Sequence, residues 1–163
     1  MAVEILPIER RHIAGFREVV DAVARERRYL ALTEAPPMAQ VRRFVLGNLR
    51  IGAAQFVAVE GERVVGWCDV TPRVRETQRH SGVLGMGVAA THRGLGIGAR
   101  LLAATLGSAI AGGITRVELT VLVDNAPAIS LYQRFGFGTE GLCRDYLVLD
   151  GVARDALLMA KLK

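Results

Sequence analysis

The chain has 163 residues, 51% hydrophobic and 23% charged, which is enough to bury one sizeable core and too few for two ordinary domains, so residues 1–163 are expected to form a single domain. The 21 Lys and Arg residues outnumber the 16 Asp and Glu, and the net charge of +5 favours an anionic ligand over a cationic one. The hydrophobic content excludes a disordered tail, 18 glycines without a G-X-Y period exclude a collagen-like fibre, and two cysteines exclude a disulfide-dense scaffold.

Met1 to Pro7 has neither a basic nor a sustained apolar segment, so it does not read as a secretory signal. The longest mostly apolar stretch, Leu101 to Ile114, falls short of the roughly 18 to 20 residues a spanning helix needs. A cytoplasmic protein without membrane contact is expected, with Cys68 and Cys143 as buried or half-buried thiols.

Val3 to Ile8 reads as a first strand. From Glu9 to about Arg28, Ile13, Phe16, Val20 and Val23 recur at helical spacing, and a second helix runs from Met38 to Leu49 and stops near Gly52. Phe56 to Val59 and Val64 to Val70 predict a hairpin turning at Glu60-Gly61-Glu62, followed by the polar connection Thr71 to His80 and a strand from Val83 to Val88. A glycine-rich loop then leads into a helix over Leu95 to Ala111, ended by Gly112-Gly113. Val117 to Val123 predicts a strand, and Asn125-Ala126-Pro127 starts a short helix by capping with Asn and placing Pro in the first turn. Phe137 to Leu149 and Val152 to Leu162 are the last two strands, with Asp150-Gly151 as a two-residue hairpin. The order gives an α/β (α+β) chain: a mixed sheet of about seven strands, about four helices, and one parallel crossover through the glycine-loop helix.

Chemistry concentrates in Leu84 to Arg100. Glycines 94, 96 and 98 stand where the loop enters the helix, leaving backbone N–H groups free to converge on an anion at the positive end of the helix dipole. A P-loop is excluded because Ala99-Arg100 stands where Lys-Ser or Lys-Thr is required. Gly85, Gly87 and Ala90 match a dinucleotide fingerprint in spacing, but Thr91-His92-Arg93-Gly94 continues as loop where a helix must open. Glycines 85 and 87 inside an apolar strand mark either accommodation of a neighbour or a close approach by an extended ligand, and their place ahead of an anion loop favours the ligand.

Arg93-Gly94-Leu95-Gly96-Ile97-Gly98 resembles the Gln/Arg-x-x-Gly-x-Gly/Ala signature of the GNAT superfamily of acetyl-CoA-dependent N-acetyltransferases. Asn125 to Phe137, with Leu131-Tyr132 and Gly136-Phe137, resembles its second signature, and the predicted element order is similar to the family fold over nearly the whole chain. The resemblance implies that the fourth and fifth strands splay apart around pantetheine, with the Met86 and Val88 backbone on the pantetheine side. It likewise implies that Arg93, Gly94, Leu95, Gly96, Ile97, Gly98 and Ala99 hold the pyrophosphate, with Asn125 and Tyr132 also at the coenzyme. Coenzyme A then accounts for the basic balance without nucleic acid.

By the same resemblance, Tyr132 is the general acid for the leaving thiolate and the Val88 amide the oxyanion donor. The family's usual base, a carboxylate on the fourth strand, has no counterpart at Leu84, Gly85 or Met86. His80 is a candidate by its ordinary pKa, Asp69, Glu76 and His92 are weaker ones, and an amine losing its proton to a water chain needs no side-chain base. Acceptor specificity is expected from the loop between the first two helices and the last hairpin: Arg27, Arg28, Tyr29 and Tyr146, with His80. Paired arginines on a pocket rim suit a carboxylate-bearing amine such as an amino acid. No histidine and cysteine spacing suggests a metal. The expectation is acetyl transfer from acetyl-CoA to a small-molecule amine in a ternary complex. The alternatives are acetylation of protein N-termini or lysines, and a coenzyme A-binding sensor without turnover. A homodimer is common in the family.

Overall fold

In the computed structural model, which describes residues 1–163, the apolar segments form strands β1 (Val3–Pro7), β2 (Gln55–Glu60), β3 (Arg63–Pro72), β4 (Ser81–Val88), β5 (Arg116–Leu122), β6 (Gly138–Leu149) and β7 (Val152–Leu162). The helices are α1 (Ile13–Arg25), α2 (Met38–Ile51), α3 (Ile97–Ala111) and α4 (Ala126–Arg134). The order matches the sequence reading, and the seven strands make one mixed sheet in the spatial order β1-β2-β3-β4-β5-β7-β6. Only β4 and β5 run parallel, as a strand–helix–strand crossover through α3 requires.

Helix α1 turns Phe16, Val19, Val20 and Val23 onto one face of the sheet, where Phe16 meets Trp67 of β3 edge-on at 6.1 Å. On the opposite face α3 is apolar almost all round and buries Leu101, Leu102, Thr105 and Leu106, with the Thr105 hydroxyl donating back to the Leu101 carbonyl at 2.8 Å. Burial also keeps the Cys68 thiol protonated, and Cys143 is half-buried. No helix is long and apolar enough to cross a membrane.

Three helix boundaries differ from the sequence reading for local reasons. The first helix begins with a separate 3-10 turn, Arg10–His12, because the Glu9 N–H donates to His12 Nδ1 at 3.0 Å; it ends at Arg25, before Arg27 adopts φ 52°. The third helix starts at Ile97 and not Leu95, since Gly96, at φ 78°, holds a left-handed conformation that no helix continues through. The Asp150-Gly151 turn has φ 52° and 77°, the paired positive values of a type I′ hairpin. Strand β6 carries bulges between Thr139 and Gly141 and between Cys143 and Leu147, which the alternation alone did not disclose.

The pairing of β4 with β5 is short. Ser81, Gly82 and Val83 face Arg116, Val117 and Glu118, and beyond that point the strands part. An ion cluster holds the closed end of this wedge: Glu118 accepts from Arg73 and Arg116, and Arg116 also reaches Glu140 at 2.6 Å. The guanidinium of Arg73, and then that of Arg116, hold the Glu118 carboxyl below the usual carboxylate range. Arg73, in the polar connection expected between β3 and β4, is thereby anchored.

Candidate functional site

The open end of the wedge is a cleft of about 560 Å³, bordered by Leu84–Val88 of β4, Leu119–Val121 of β5, the glycine loop, α4, Val23 of α1, and Tyr29 and Leu30 beyond it. Its walls follow from strand register. Ala89 N–H donates to the Val65 carbonyl at 2.8 Å, so residues 85, 87 and 89 direct their peptide groups to β3. Those of Leu84, Met86 and Val88 point the other way, into the gap β5 has left. The Val88 carbonyl is used there by Arg93 Nε at 2.9 Å, while the N–H groups of Met86 and Val88 face the cleft.

The glycine loop closes one end of the cleft. Gly94 and Gly96 have φ of 74° and 78°, a conformation that costs an L side chain roughly 1–2 kcal/mol, and the turn they make delivers the chain to the N-terminus of α3. There the amides of the first turn, Ile97, Gly98 and Ala99, lack intrahelical acceptors and sit on the cleft border. The first of the α3 bonds runs from Arg100 N–H to the Gly96 carbonyl. This is an anion cradle made of backbone, next to a slot lined by outward peptide groups: it suits an extended ligand with a phosphate at one end.

Asn125 lies on the border and caps α4, its Oδ1 accepting from the Ala128 N–H at 3.4 Å. Tyr132, nearly two turns along α4, packs on Phe137 at 5.7 Å and borders the cleft although only 7% exposed. Burial, and secondarily the Cys68 thiol beside it, push its phenol well above the ordinary tyrosine range, so it stays protonated at every physiological pH.

Arg93 does not point into the anion cradle. Its guanidinium makes a two-pronged pair with Glu26 at 2.6 and 2.8 Å and lies 4.7 Å over the Tyr29 ring, tying the glycine loop to the segment after α1. Arg28 covers the same ring at 5.3 Å. Arg27 is bound to Asp150 at the tip of the last hairpin, 2.8 Å away, so the two segments expected to set specificity meet at the rim. Tyr146 joins them through its hydroxyl, 3.1 Å from Thr120 on the cleft wall, brought there by the β6 bulge. His80 is not brought to the cleft: it stands exposed before β4, its carbonyl bonded to Thr115 and Arg116 at the closed end of the wedge. His92 borders the cleft and engages Glu60 at 3.2 Å.

The paired glycines of β4 separate in role. A Cβ at Gly87 would lie 2.3 Å from the Trp67 ring, so this glycine accommodates the indole and not a ligand, contrary to the expectation for it. At Gly85 the same position meets nothing within 4 Å except Asp69 Oδ1, at 3.6 Å. Sequence reasoning weighed Asp69 only weakly; the available signal was a lone carboxylate inside the apolar run Val64 to Val70.

The family model described as "Acetyltransferase (GNAT) family" matches residues 21–137 of this chain. The L-amino acid N-acetyltransferase AaaT of Escherichia coli (strain K12) is 33% identical over 115 residues, which is 70% of this chain and 71% of that protein. Among solved structures, an acetyltransferase of the GNAT family from Streptococcus pneumoniae superposes with a TM-score of 0.91 at 25% identity, covering 99% of both chains. The structure of yncA from Salmonella typhimurium with its cofactor acetyl-CoA superposes with a TM-score of 0.92 at 18% identity, covering 99% of this chain and 94% of that one, a likeness of fold.

Proposed function

Because the chain belongs to the acetyltransferase (GNAT) family, we propose that it moves the acetyl group of acetyl-CoA to the α-amine of an L-amino acid, by direct attack of the amine within a ternary complex. The observation that carries the acceptor class is the 33% identity to a relative named for that activity. The rim supports it: Arg27 is neutralised by Asp150, whereas Arg28 has no acidic partner and lies against Tyr29 on the cleft border, where a carboxylate beside the reacting amine would find a cation.

Acetyl-CoA supplies the activated acyl group and the thiolate leaving group. The first-turn amides of α3 would hold its pyrophosphate, and the outward N–H groups of Val88 and, farther from that cradle, Met86 would meet its pantetheine amide and thioester oxygen. Met86, farther from the cradle than Val88 and next to Gly85, is assigned as the donor to the negative charge that grows on that oxygen, in place of the Val88 amide that the resemblance implied; it is a fixed dipole that needs no reorganisation. Tyr132 gives its proton to the departing sulfur. Arg93 is assigned a joining role, binding Glu26 and Tyr29 so that the coenzyme loop and the acceptor loop keep one spacing.

A panel of L-amino acids, polyamines, aminoglycosides and peptides, followed by thiol release from acetyl-CoA, tests the reading. L-amino acids should be turned over with the highest kcat/KM; equal or better turnover of peptides would overturn the acceptor class. No turnover of any amine would leave a coenzyme-binding sensor. Replacing Gly96 with Val should weaken acetyl-CoA binding at least about tenfold, since a β-branched residue resists φ 78° and displaces the first-turn amides. Isothermal titration checks it, and normal affinity would remove the pyrophosphate assignment.

A further inference from the structure

We propose that Asp69 of β3 is the proton acceptor of the reaction, reaching the acceptor amine through one water seated on the bare face of Gly85. This rests on the reading that the chain acetylates an amine. The family's strand-four carboxylate is missing here, and the structure puts one on the neighbouring strand. Asp69 stands directly across from Gly85 in the β3/β4 register, and both turn to the α1 side of the sheet, as Trp67 does against Phe16. Because Gly85 has no side chain and borders the cleft, the space above it is open to the acceptor, with Asp69 Oδ1 as its one near neighbour. Met86, the next residue, directs its N–H into the gap that the thioester would enter.

A second observation marks the other flank of Asp69 as a place for water. Gln55 faces Asp69 from β2, and its Oε1 accepts from Asn48 Nδ2 of α2 at 3.0 Å. That bond fixes the amide and leaves Gln55 Nε2 as the one buried side-chain polar atom in the protein without a partner. A buried donor with no partner beside a buried carboxylate is the setting in which an ordered water is retained. Burial pushes the Asp69 carboxyl up to about 7, with a hydrogen bond from Thr71 pulling the other way. The groups facing it are uncharged: Gln55 from β2 with Asn48 of α2 behind it, Gly85 from β4, Trp67 and Thr71 on its own strand, and the apolar face of α1, with the protonated Cys68 thiol turned to the other face.

The proton balance closes. The acceptor ammonium gives one proton to the water, which passes one to Asp69 Oδ1, and the freed nitrogen lone pair forms the C–N bond. The C–S bond breaks, its electron pair leaves on sulfur, and Tyr132 protonates the thiolate. The nitrogen's second proton restores the Tyr132 hydroxyl through solvent, and Asp69 releases its proton to bulk. The products are the N-acetyl amine, free coenzyme A thiol and one proton.

The test is the pH profile of kcat/KM for the best L-amino acid of the panel, in the wild type and in Asp69→Asn and Gly85→Ala, with acetyl-CoA affinity measured for each. The wild type should show an acid limb near 7. Asp69→Asn should lose that limb, fall about 100-fold or more at neutral pH, recover as pH rises towards the pKa of the amine itself, and bind acetyl-CoA normally. Gly85→Ala has ordinary room for its methyl and an unstrained φ, so it should fold; by displacing the water it should lower kcat about tenfold with coenzyme affinity unchanged. An Asp69→Asn enzyme that keeps the wild-type limb and rate overturns the proposal. Should that variant fail to bind acetyl-CoA, Gly85→Ala decides, and a wild-type kcat there overturns it. No turnover by the wild type would remove the acetyltransferase reading and this proposal with it, whereas turnover with unaltered variants removes this proposal alone.

Discussion

Replacing Tyr132 with Phe should lower kcat by about 100-fold while leaving the Kd for acetyl-CoA and the melting temperature close to wild type. The separation follows from how the residue is held. Its ring is a core element, packed on Phe137 at the base of α4, and Phe keeps that contact almost unchanged. Only the hydroxyl is lost, and with it the proton for the departing sulfur. A thiolate leaving without that proton is a poorer leaving group in a cleft with mostly apolar walls, so the cost falls on the chemical step and not on binding. The raised pKa sets a further expectation: the phenol contributes no basic limb near neutrality, because it remains protonated far above that range. Steady-state kinetics by thiol release and titration of acetyl-CoA check both parts, and an unchanged kcat would exclude Tyr132 as the proton donor.

The extent to which this site can be read from the sequence depends on whether backbone or side chains carry it. The glycine loop was legible because its function needs particular dihedrals, and Gly94 and Gly96 are the residues that permit them. The outward amides of Met86 and Val88 follow from strand parity once the register is known, but the register itself is tertiary. Side-chain destinations were less accessible. Arg93 sits inside the phosphate signature, yet its strongest partner is Glu26, 67 positions earlier, and no local pattern announces that pairing. Tyr146 reaches Thr120 only because a bulge re-aims β6. His80, attractive as a histidine just ahead of β4, is removed by simple geometry: six residues of extended strand separate it from Met86, about 20 Å. Asp69 is the converse, a weak candidate in the sequence that becomes informative once burial, Gly85 and Gln55 surround it.

Gly85 and Gly87 sharpen the point, since they are indistinguishable in the sequence and opposite in consequence. A methyl at position 87 would lie 2.3 Å from one atom of the Trp67 ring and 2.6 Å from the next, distances that no rotamer change relieves because the indole is 5% exposed and wedged against Phe16. Gly87→Ala is therefore expected to cost about 3 kcal/mol, at the upper end for overpacking, and to lower the melting temperature by roughly 10 °C for a chain of this size. That is a large part of the margin of about 5–15 kcal/mol by which such domains are stable. The atoms in collision belong to the six-membered ring of the indole, which a phenylalanine does not extend as far. Trp67→Phe should thus remove most of the penalty of Gly87→Ala, so that the double variant is more stable than the sum of the two singles predicts, by about 2 kcal/mol. Urea unfolding of the four proteins measures the coupling, and strict additivity would show that position 87 is restricted by something other than the indole. The same substitution at position 85 should leave stability unchanged and slow only catalysis, because what its methyl would meet is the open space beside Asp69.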